Sequence, residues 1–237
     1  MEVRQFADAE AAATAGAQQI LDWLREALDG RGLASLAISG GSSPRRMFEI
    51  FARTRFEWGR VHLFWVDERA VSPSDTQSNF KFAQDVWLRH GNFPAPSVHR
   101  VLAELDPADA AARYAQDIQQ FFGLASGELP HFDVMHRGMG PDAHTASLFP
   151  GEPLIEDRSG IAAAVWVEKF NQWRITLLPG VLFAARHTAL LVAGADKTAA
   201  LRSVRNEPFD PLHYPAQIAS GDGTVWFVDT AAAQGAQ

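Results

Sequence analysis

The chain has 237 residues, of which 47% are hydrophobic and 21% are charged, a composition typical of a globular protein with a sizeable core. Its length fits one domain over residues 1–237. The absence of cysteine excludes thiolate catalysis, disulfides and cysteine-ligated zinc. The net charge of −7 and the lack of a basic stripe argue against nucleic acid as a partner, so an anionic ligand needs a local positive site.

The first twenty residues have no charged start followed by an apolar run, so we expect no signal peptide. The longest apolar runs, such as TALLVAG at 188–194, are too short to cross a bilayer. Together with the lack of cysteine, these features lead us to expect a cytoplasmic protein that does not bind membranes.

Apolar periodicity predicts helices and strands that alternate along the chain. The first helix runs from Asp8 to Leu28 and ends at the sequence GRG, residues 30–32. In chain order there follow a strand at 33–39, a helix at 44–53, a strand at 61–68, a helix near 79–90, a strand at 97–102 and a helix at 106–122. Strands at 131–137, 162–168, 174–178 and 188–194, a helix at about 196–204 and a strand at 224–229 complete the pattern. This alternation predicts an α/β fold whose mostly parallel sheet is covered on both faces.

Three polar loops directly follow predicted strands. They are SGGSSP (39–44), DERAVSPSD (67–75) and GMGPDAHTAS (138–147). In open sheets of this class, ligands bind beyond the carboxyl ends of the strands, so the three loops form a candidate site at one sheet edge.

The first loop is suited to phosphate. Gly40 and Gly41 allow close approach of the backbone, and the helix after them offers free N–H groups. An ordinary strand-to-helix turn explains the glycines equally well. No lysine occupies the Walker position, which excludes a nucleotide P-loop.

The second loop places an acid and a base on one side of a strand end. Asp67 and Arg69 share a face while Glu68 points away, because side chains alternate along a strand. Arg69 can hold a phosphate or carboxylate with two hydrogen bonds. The alternative is a solvated ion pair that contributes only about 0–1 kcal/mol.

The third loop carries His144 at a position where a helix could begin. Asp142, two residues earlier, can orient the imidazole and make it a better base for activating water. The same loop matches the dinucleotide fingerprint G-x-G-x-x-A, which leaves a nicotinamide-binding alternative open. No histidine has metal-ligand spacing, so we expect no metal site. Lys197 lies near the start of a predicted helix, where it is either an anion ligand or a solvated cation.

Four segments together resemble the 6-phosphogluconolactonase family. They are AISGGSSPRRMFEIFA, WVDERAVSPSDTQSNF, GMGPDAHTASLFPG and RITLLPGVLFAARHTALLVAGADKTAAL, which occur in the family's order and span nearly the whole chain. The resemblance implies a three-layer α/β sandwich of the isomerase/lactonase type, a modified Rossmann fold. It implies hydrolysis of 6-phospho-D-glucono-1,5-lactone to 6-phospho-D-gluconate in the oxidative pentose phosphate pathway, without a cofactor. The partner is then a small sugar-phosphate lactone, bound by a monomer or weak homo-oligomer.

The resemblance also implies residue roles. His144 is the general base, Asp142 orients it, and Arg69 and Lys197 bind the phosphate or stabilise charge on the substrate. The implied substrate-binding set consists of Gly40, Gly41, Ser42, Asp67, Arg69, Gly140 and Lys197.

Some positions depart from the family pattern. Ala143 replaces a glycine, and if its φ is positive the alanine costs about 1 kcal/mol and shifts His144. His136 and Arg137 place polar groups at the end of a strand that should be buried, and Phe183 replaces an asparagine. These departures leave open a protein that binds sugar phosphates without hydrolysing them. The related amino-sugar-phosphate isomerases are a further alternative, although they continue differently after the histidine and lack the arginine of DER.

Overall fold

The computed structural model describes residues 2–41 and 43–234, and this part of the chain forms ten strands and seven α-helices. The strands are β1 (Glu2–Phe6), β2 (Ala34–Ile38), β3 (Val61–Trp65), β4 (Asp67–Arg69), β5 (Val98–His99), β6 (Val134–Gly138), β7 (Ala162–Val167), β8 (Gln172–Leu177), β9 (His187–Val192) and β10 (Thr224–Asp229). The helices are α1 (Ala9–Arg31), α2 (Arg45–Arg53), α3 (Asn79–Ala83), α4 (Pro107–Phe122), α5 (Pro179–Ala184), α6 (Thr198–Asn206) and α7 (Thr230–Ala233). A π-helical turn, Gln84–Leu88, continues α3.

Seven strands form the main sheet in the order β1-β10-β9-β6-β2-β3-β5, and every neighbouring pair is parallel. Helix α1 packs against one face of this sheet, where Ala189, Val225 and Phe227 belong to the larger of two clusters of buried hydrophobic residues. On the other face, Leu190 and Trp226 pack with Leu201 of α6. The predicted α/β fold with a mostly parallel sheet covered on both faces is therefore confirmed.

A second sheet lies beside the first and was not predicted. Strands β4, β8 and β7 form it in that order, and both pairs are antiparallel. The single strand predicted at 61–68 is wrong, because the chain leaves the main sheet at Val66. The N–H of Val66 donates to the carbonyl of Ile38 in the main sheet, while its carbonyl accepts from Leu177 of β8. One residue thus connects the two sheets.

The helix ends follow local signals in the sequence. Asp8 caps α1 by accepting from the N–H of Ala11 at 2.8 Å, and Gly32 ends it with φ 77°. Asp106 caps α4 in the same way, while α2 begins at Arg45, one residue later than predicted. Strand β1 was missed, and the strand predicted at 97–102 shrinks to the two residues of β5. None of the helices in the described ranges is both long and apolar enough to cross a membrane.

Strand β6 carries two buried polar residues at its carboxyl end. His136 and Arg137 are 1% and 0% exposed, and neither side chain has a hydrogen-bond partner among residues 2–41 and 43–234. The ring of His136 packs edge-on against Phe48, with ring centres 6.3 Å apart. Burial lowers the pKa of His136 to about 4 and that of Arg137 to about 9. Both polar side chains, which the sequence identified as departures, are thus buried, and His136 also lines a cavity at the carboxyl end of β6.

Replacing His136 with leucine should change how stability responds to acid. The unfolded chain takes up a proton near the ordinary histidine pKa of about 6.5, whereas folded His136 takes it up only near pH 4. As the pH falls from about 6.5 to about 4, the free energy of unfolding of the wild type should therefore decrease relative to that of His136→Leu, by up to about 1.4 kcal/mol per pH unit. Urea unfolding of both proteins across this range measures the difference. The exposed His90→Leu variant is the control, and parallel curves for wild type and His136→Leu would contradict the prediction.

Candidate active site

The three polar loops meet at a cavity of about 210 Å³ at the carboxyl ends of β2, β6 and β9. Seven of the nine predicted site residues line it: Gly40, Gly41, Asp67, Arg69, Gly140, His144 and Lys197. Asp142 is bonded to His144 but does not line this cavity, and Ser42 lies outside the described residues. The convergence expected of parallel strand ends is present.

The glycine loop between β2 and α2 lies close against Asn79, the first residue of α3. A Cβ atom at Gly40 would lie 2.0 Å from Oδ1 of Asn79, so no larger residue fits without displacing that side chain. Asn79 in turn donates from Nδ2 to the carbonyl of Asp67 at 2.9 Å. Gly41 has φ +98°, a conformation that favours glycine. The glycine loop is therefore held against the start of α3.

Strand β4 sorts its three charged side chains as predicted. Glu68 points away from the cavity and accepts from the N–H groups of Asn79 and Phe80, both at 2.7 Å. Burial raises the pKa of Glu68, and these backbone donors oppose that effect. Asp67 and Arg69 both line the cavity. Asp67 accepts from the hydroxyl of Ser147 at 2.7 Å, which links β4 to the segment after His144.

Arg174 is a cavity residue that the sequence analysis missed. It lies opposite Arg69 in the β4–β8 pairing, and the Nε atoms of both arginines are buried without a partner among the described residues. Burial lowers the pKa of Arg174; Asp67 opposes this shift, whereas Arg69 adds to it. Arg174 belonged to a predicted strand, but only the unpredicted second sheet places it beside Arg69.

The cavity is positively charged inside an acidic protein. Arg69, Arg174 and Lys197 line it, against one carboxylate from Asp67. Lys197 also pairs with Asp196 at 2.9 Å. With a chain charge of −7, this is the kind of local positive site that an anionic ligand requires.

His144 and Asp142 form a hydrogen-bonded pair within a tight loop. Nδ1 of His144 lies 2.5 Å from Oδ1 of Asp142. Burial by itself would raise the pKa of Asp142, but the hydrogen bonds from His144 and Lys169 hold it well below its usual range. An ionised carboxylate only accepts, so the shared proton belongs to Nδ1. This leaves Nε2 as the nitrogen that can take a proton from a ligand or a water.

The loop around His144 is compact and strained rather than helical. The N–H of Gly140 donates to the carbonyl of His144, and a Cβ at Gly140 would lie only 2.0 Å from Nδ1 of that histidine. Ala143 and Ala146 have φ values of 64° and 53°, in the left-handed region that disfavours alanine. The positive φ considered for Ala143 is therefore present. No helix begins at 144, which corrects that expectation, because the chain instead forms one bridge between Thr145 and Leu148.

Two further expectations concern the dinucleotide fingerprint of this loop and Phe183. The dinucleotide fingerprint requires a helix that opens directly on the glycine turn, and the next helical turn after His144 is the short segment Pro153–Glu156. The local geometry thus disfavours the nicotinamide alternative. Phe183 lies on α5 with its ring 4.3 Å from the guanidinium carbon of Arg158, and it does not line the cavity.

A family model described as glucosamine-6-phosphate isomerases/6-phosphogluconolactonase matches residues 7–227. The chain belongs to this family. The chain is 39% identical to the 6-phosphogluconolactonase of Nostoc sp. over 215 residues, which covers 90% of this chain and 89% of that relative. It is 34% identical to the Synechocystis sp. 6-phosphogluconolactonase over 213 residues, covering 89% and 88%.

A solved family structure has the same fold. The crystal structure of 6-phosphogluconolactonase from Thermotoga maritima matches with a TM-score of 0.85 and 25% sequence identity, covering 97% of this chain and 99% of that one. The fold expected from the resemblance is thereby confirmed.

Replacing Gly140 with alanine should separate His144 from Asp142. The added Cβ would collide with Nδ1 of His144 and approach Oδ1 of Asp142 to 2.7 Å, so both side chains must move. We expect the downfield Nδ1 proton resonance of His144 in NMR spectra to disappear. Gly30→Ala is the control, since a Cβ at that helical position meets nothing within 4 Å. Persistence of the resonance in Gly140→Ala would contradict the geometry.

Proposed function

We propose that the chain hydrolyses 6-phospho-D-glucono-1,5-lactone to 6-phospho-D-gluconate, the second step of the oxidative pentose phosphate pathway. The observation that carries this proposal is that His144, with Asp142 behind it, faces the same small cavity as Arg69, Arg174 and Lys197. A base and a cationic anchor are the two things that hydrolysis of a phosphorylated lactone requires. The relatives named above are 6-phosphogluconolactonases, which supports the substrate.

We propose that the phosphate binds to the cationic side of the cavity. The buried, unpartnered Nε atoms of Arg69 and Arg174 are suited to charge-assisted hydrogen bonds with phosphate oxygens. Lys197 adds a third charge, and the N-terminus of α2 behind Gly40 and Gly41 offers backbone N–H groups. We propose that Ser42, the next residue in the sequence, also contributes to phosphate binding. Binding the phosphate at this fixed point orients the lactone carbonyl, which lowers the entropic part of the barrier.

His144 then acts as general base and general acid in turn. Nε2 takes a proton from water as the water oxygen bonds to the lactone carbonyl carbon. The tetrahedral intermediate collapses, the bond from that carbon to the ring oxygen breaks, and the imidazolium returns the proton to the leaving oxygen. Asp142 keeps the ring in the required tautomer and stabilises the imidazolium between the two steps. Water, base and cations account for each step without a cofactor.

The remaining expectations are part of the same proposal. We propose a single domain over residues 1–237, a monomer or weak homo-oligomer, and a cytoplasmic location.

Two other activities need separate assays. The family description includes glucosamine-6-phosphate isomerases, whose activity would release ammonia from glucosamine 6-phosphate. A binding protein would hold 6-phosphogluconate tightly yet open fresh lactone no faster than buffer does.

Removing the imidazole should abolish hydrolysis and spare binding. For His144→Ala we expect kcat to fall by at least about 100-fold, because the general base is lost. Lactone opening is followed by continuous titration of the released acid, and 6-phosphogluconate binding by calorimetry. His213→Ala is the control, since His213 also pairs through Nδ1 with an aspartate, Asp210, at 2.7 Å on an exposed surface. Turnover of His144→Ala at the wild-type rate would remove this residue from the mechanism.

Removing single cations should weaken substrate binding more than chemistry. We expect Arg69→Ala, Arg174→Gln and Lys197→Ala each to raise KM about tenfold or more, because each loses a charge-assisted contact to the phosphate. Arg89→Gln, which removes an exposed arginine paired with Asp85, is the control. If KM is unchanged in all three cavity variants, the phosphate binds elsewhere.

A further inference from the structure

The tip of the β7–β8 hairpin, residues 168–171, reaches the proposed catalytic pair from outside the cavity. Nζ of Lys169 lies 3.0 Å from Oδ2 of Asp142, while Oδ1 of the same carboxylate accepts from His144. We infer that Lys169 is a positioning residue for lactone hydrolysis, acting through Asp142; the inference rests on the proposed function. Each oxygen of Asp142 thus has its own side-chain donor.

The bond from Lys169 restricts the one rotation that would misplace the base. Without Lys169, the carboxylate is held at Oδ1 alone, by Nδ1 and the backbone N–H of His144, and it can turn about its terminal torsion, which is broad for aspartate. With Lys169 on Oδ2 and His144 on Oδ1, rotation of Asp142 breaks both bonds. The side chains of Asp142 and Lys169 are 28% and 55% exposed, so solvent screening keeps the energy of the pair modest. The effect on rate comes from geometry, because small displacements of a catalytic group are costly.

The hairpin tip also reaches the ring of His144, indirectly, through Phe149. Phe149 stacks on that ring with centres 4.2 Å apart and planes inclined by 26°. Phe170, next to Lys169, packs edge-on against Phe149 at 5.9 Å. The guanidinium carbon of Arg174 lies 4.8 Å from the centre of the Phe170 ring. The tip therefore contacts Asp142 directly and supports His144 through Phe149.

The hairpin is fixed to the rest of the site at its base. Strands β7 and β8 pair without interruption from Ala162 opposite Leu177 to Val167 opposite Gln172. Strand β8 also pairs with β4, which places Arg174 opposite Arg69. One rigid element thus presents Arg174 to the cavity and Lys169 to Asp142. In this way it sets the distance between the proposed phosphate anchor and the proposed base.

Replacing Lys169 with methionine tests this role. We expect kcat for the lactone to fall about tenfold, because a small displacement of the catalytic pair slows the reaction, with KM changed less than about twofold. Lys169→Arg should recover most of the rate, because arginine also donates to a carboxylate. Lys81→Met is the matched control, since Lys81 also pairs with an aspartate, Asp85, but does not line the cavity. Lys169→Gln repeats the test if the methionine variant folds poorly.

A double-mutant cycle shows whether Lys169 acts through Asp142. If it does, the variant carrying both Asp142→Asn and Lys169→Met should be no slower than Asp142→Asn alone. Effects that multiply in the double variant, or an unchanged kcat in Lys169→Met, would overturn the inference while leaving the proposed function intact. A wild-type protein without lactonase activity, or one whose His144→Ala variant remains active, would overturn the proposed function itself and this inference with it.

Discussion

The parallel pairing of the main sheet is the constraint on which the candidate site depends. Because β2, β6 and β9 run in the same direction, their carboxyl ends share one edge. The segments that leave these ends carry Gly40, His144 and Lys197, which therefore line one cavity. The small antiparallel sheet completes the wall with Arg69 and Arg174. One face of the cavity thus comes from each sheet.

The geometry of the proposed base is built into the backbone. Gly140 leaves room for the imidazole to lie directly on the main chain, and two alanines with positive φ, Ala143 and Ala146, bracket His144 closely. Strain of this kind persists only where surrounding contacts hold it, and here Phe149 and the hydrogen bond to Asp142 do so. A helix at this position would turn the ring differently. The departure from regular structure is therefore what aims the histidine.

Local signals allowed much of the fold and part of the site to be predicted from sequence. The Asp8 cap and Gly32 terminator of α1 act within a few residues, and the loops holding Gly40 and His144 follow strands with strong apolar runs. The transfer between sheets at Val66 has no turn residue to announce it, so 61–68 read as one strand. Arg174 became a site residue only through its pairing with Arg69, a long-range register that composition and spacing do not encode.

A crystal structure of the protein with 6-phospho-D-gluconate bound would show whether the cavity holds the substrate as proposed. We expect phosphate oxygens within hydrogen-bond distance of Arg69, Arg174 or Lys197, and the newly formed carboxylate beside Nε2 of His144. A second cavity of about 440 Å³ adjoins Asp142, lined by Phe149 and Trp166. Product bound in that second cavity, or bound with its carboxylate remote from His144, would contradict the proposed site and the proposed role of His144.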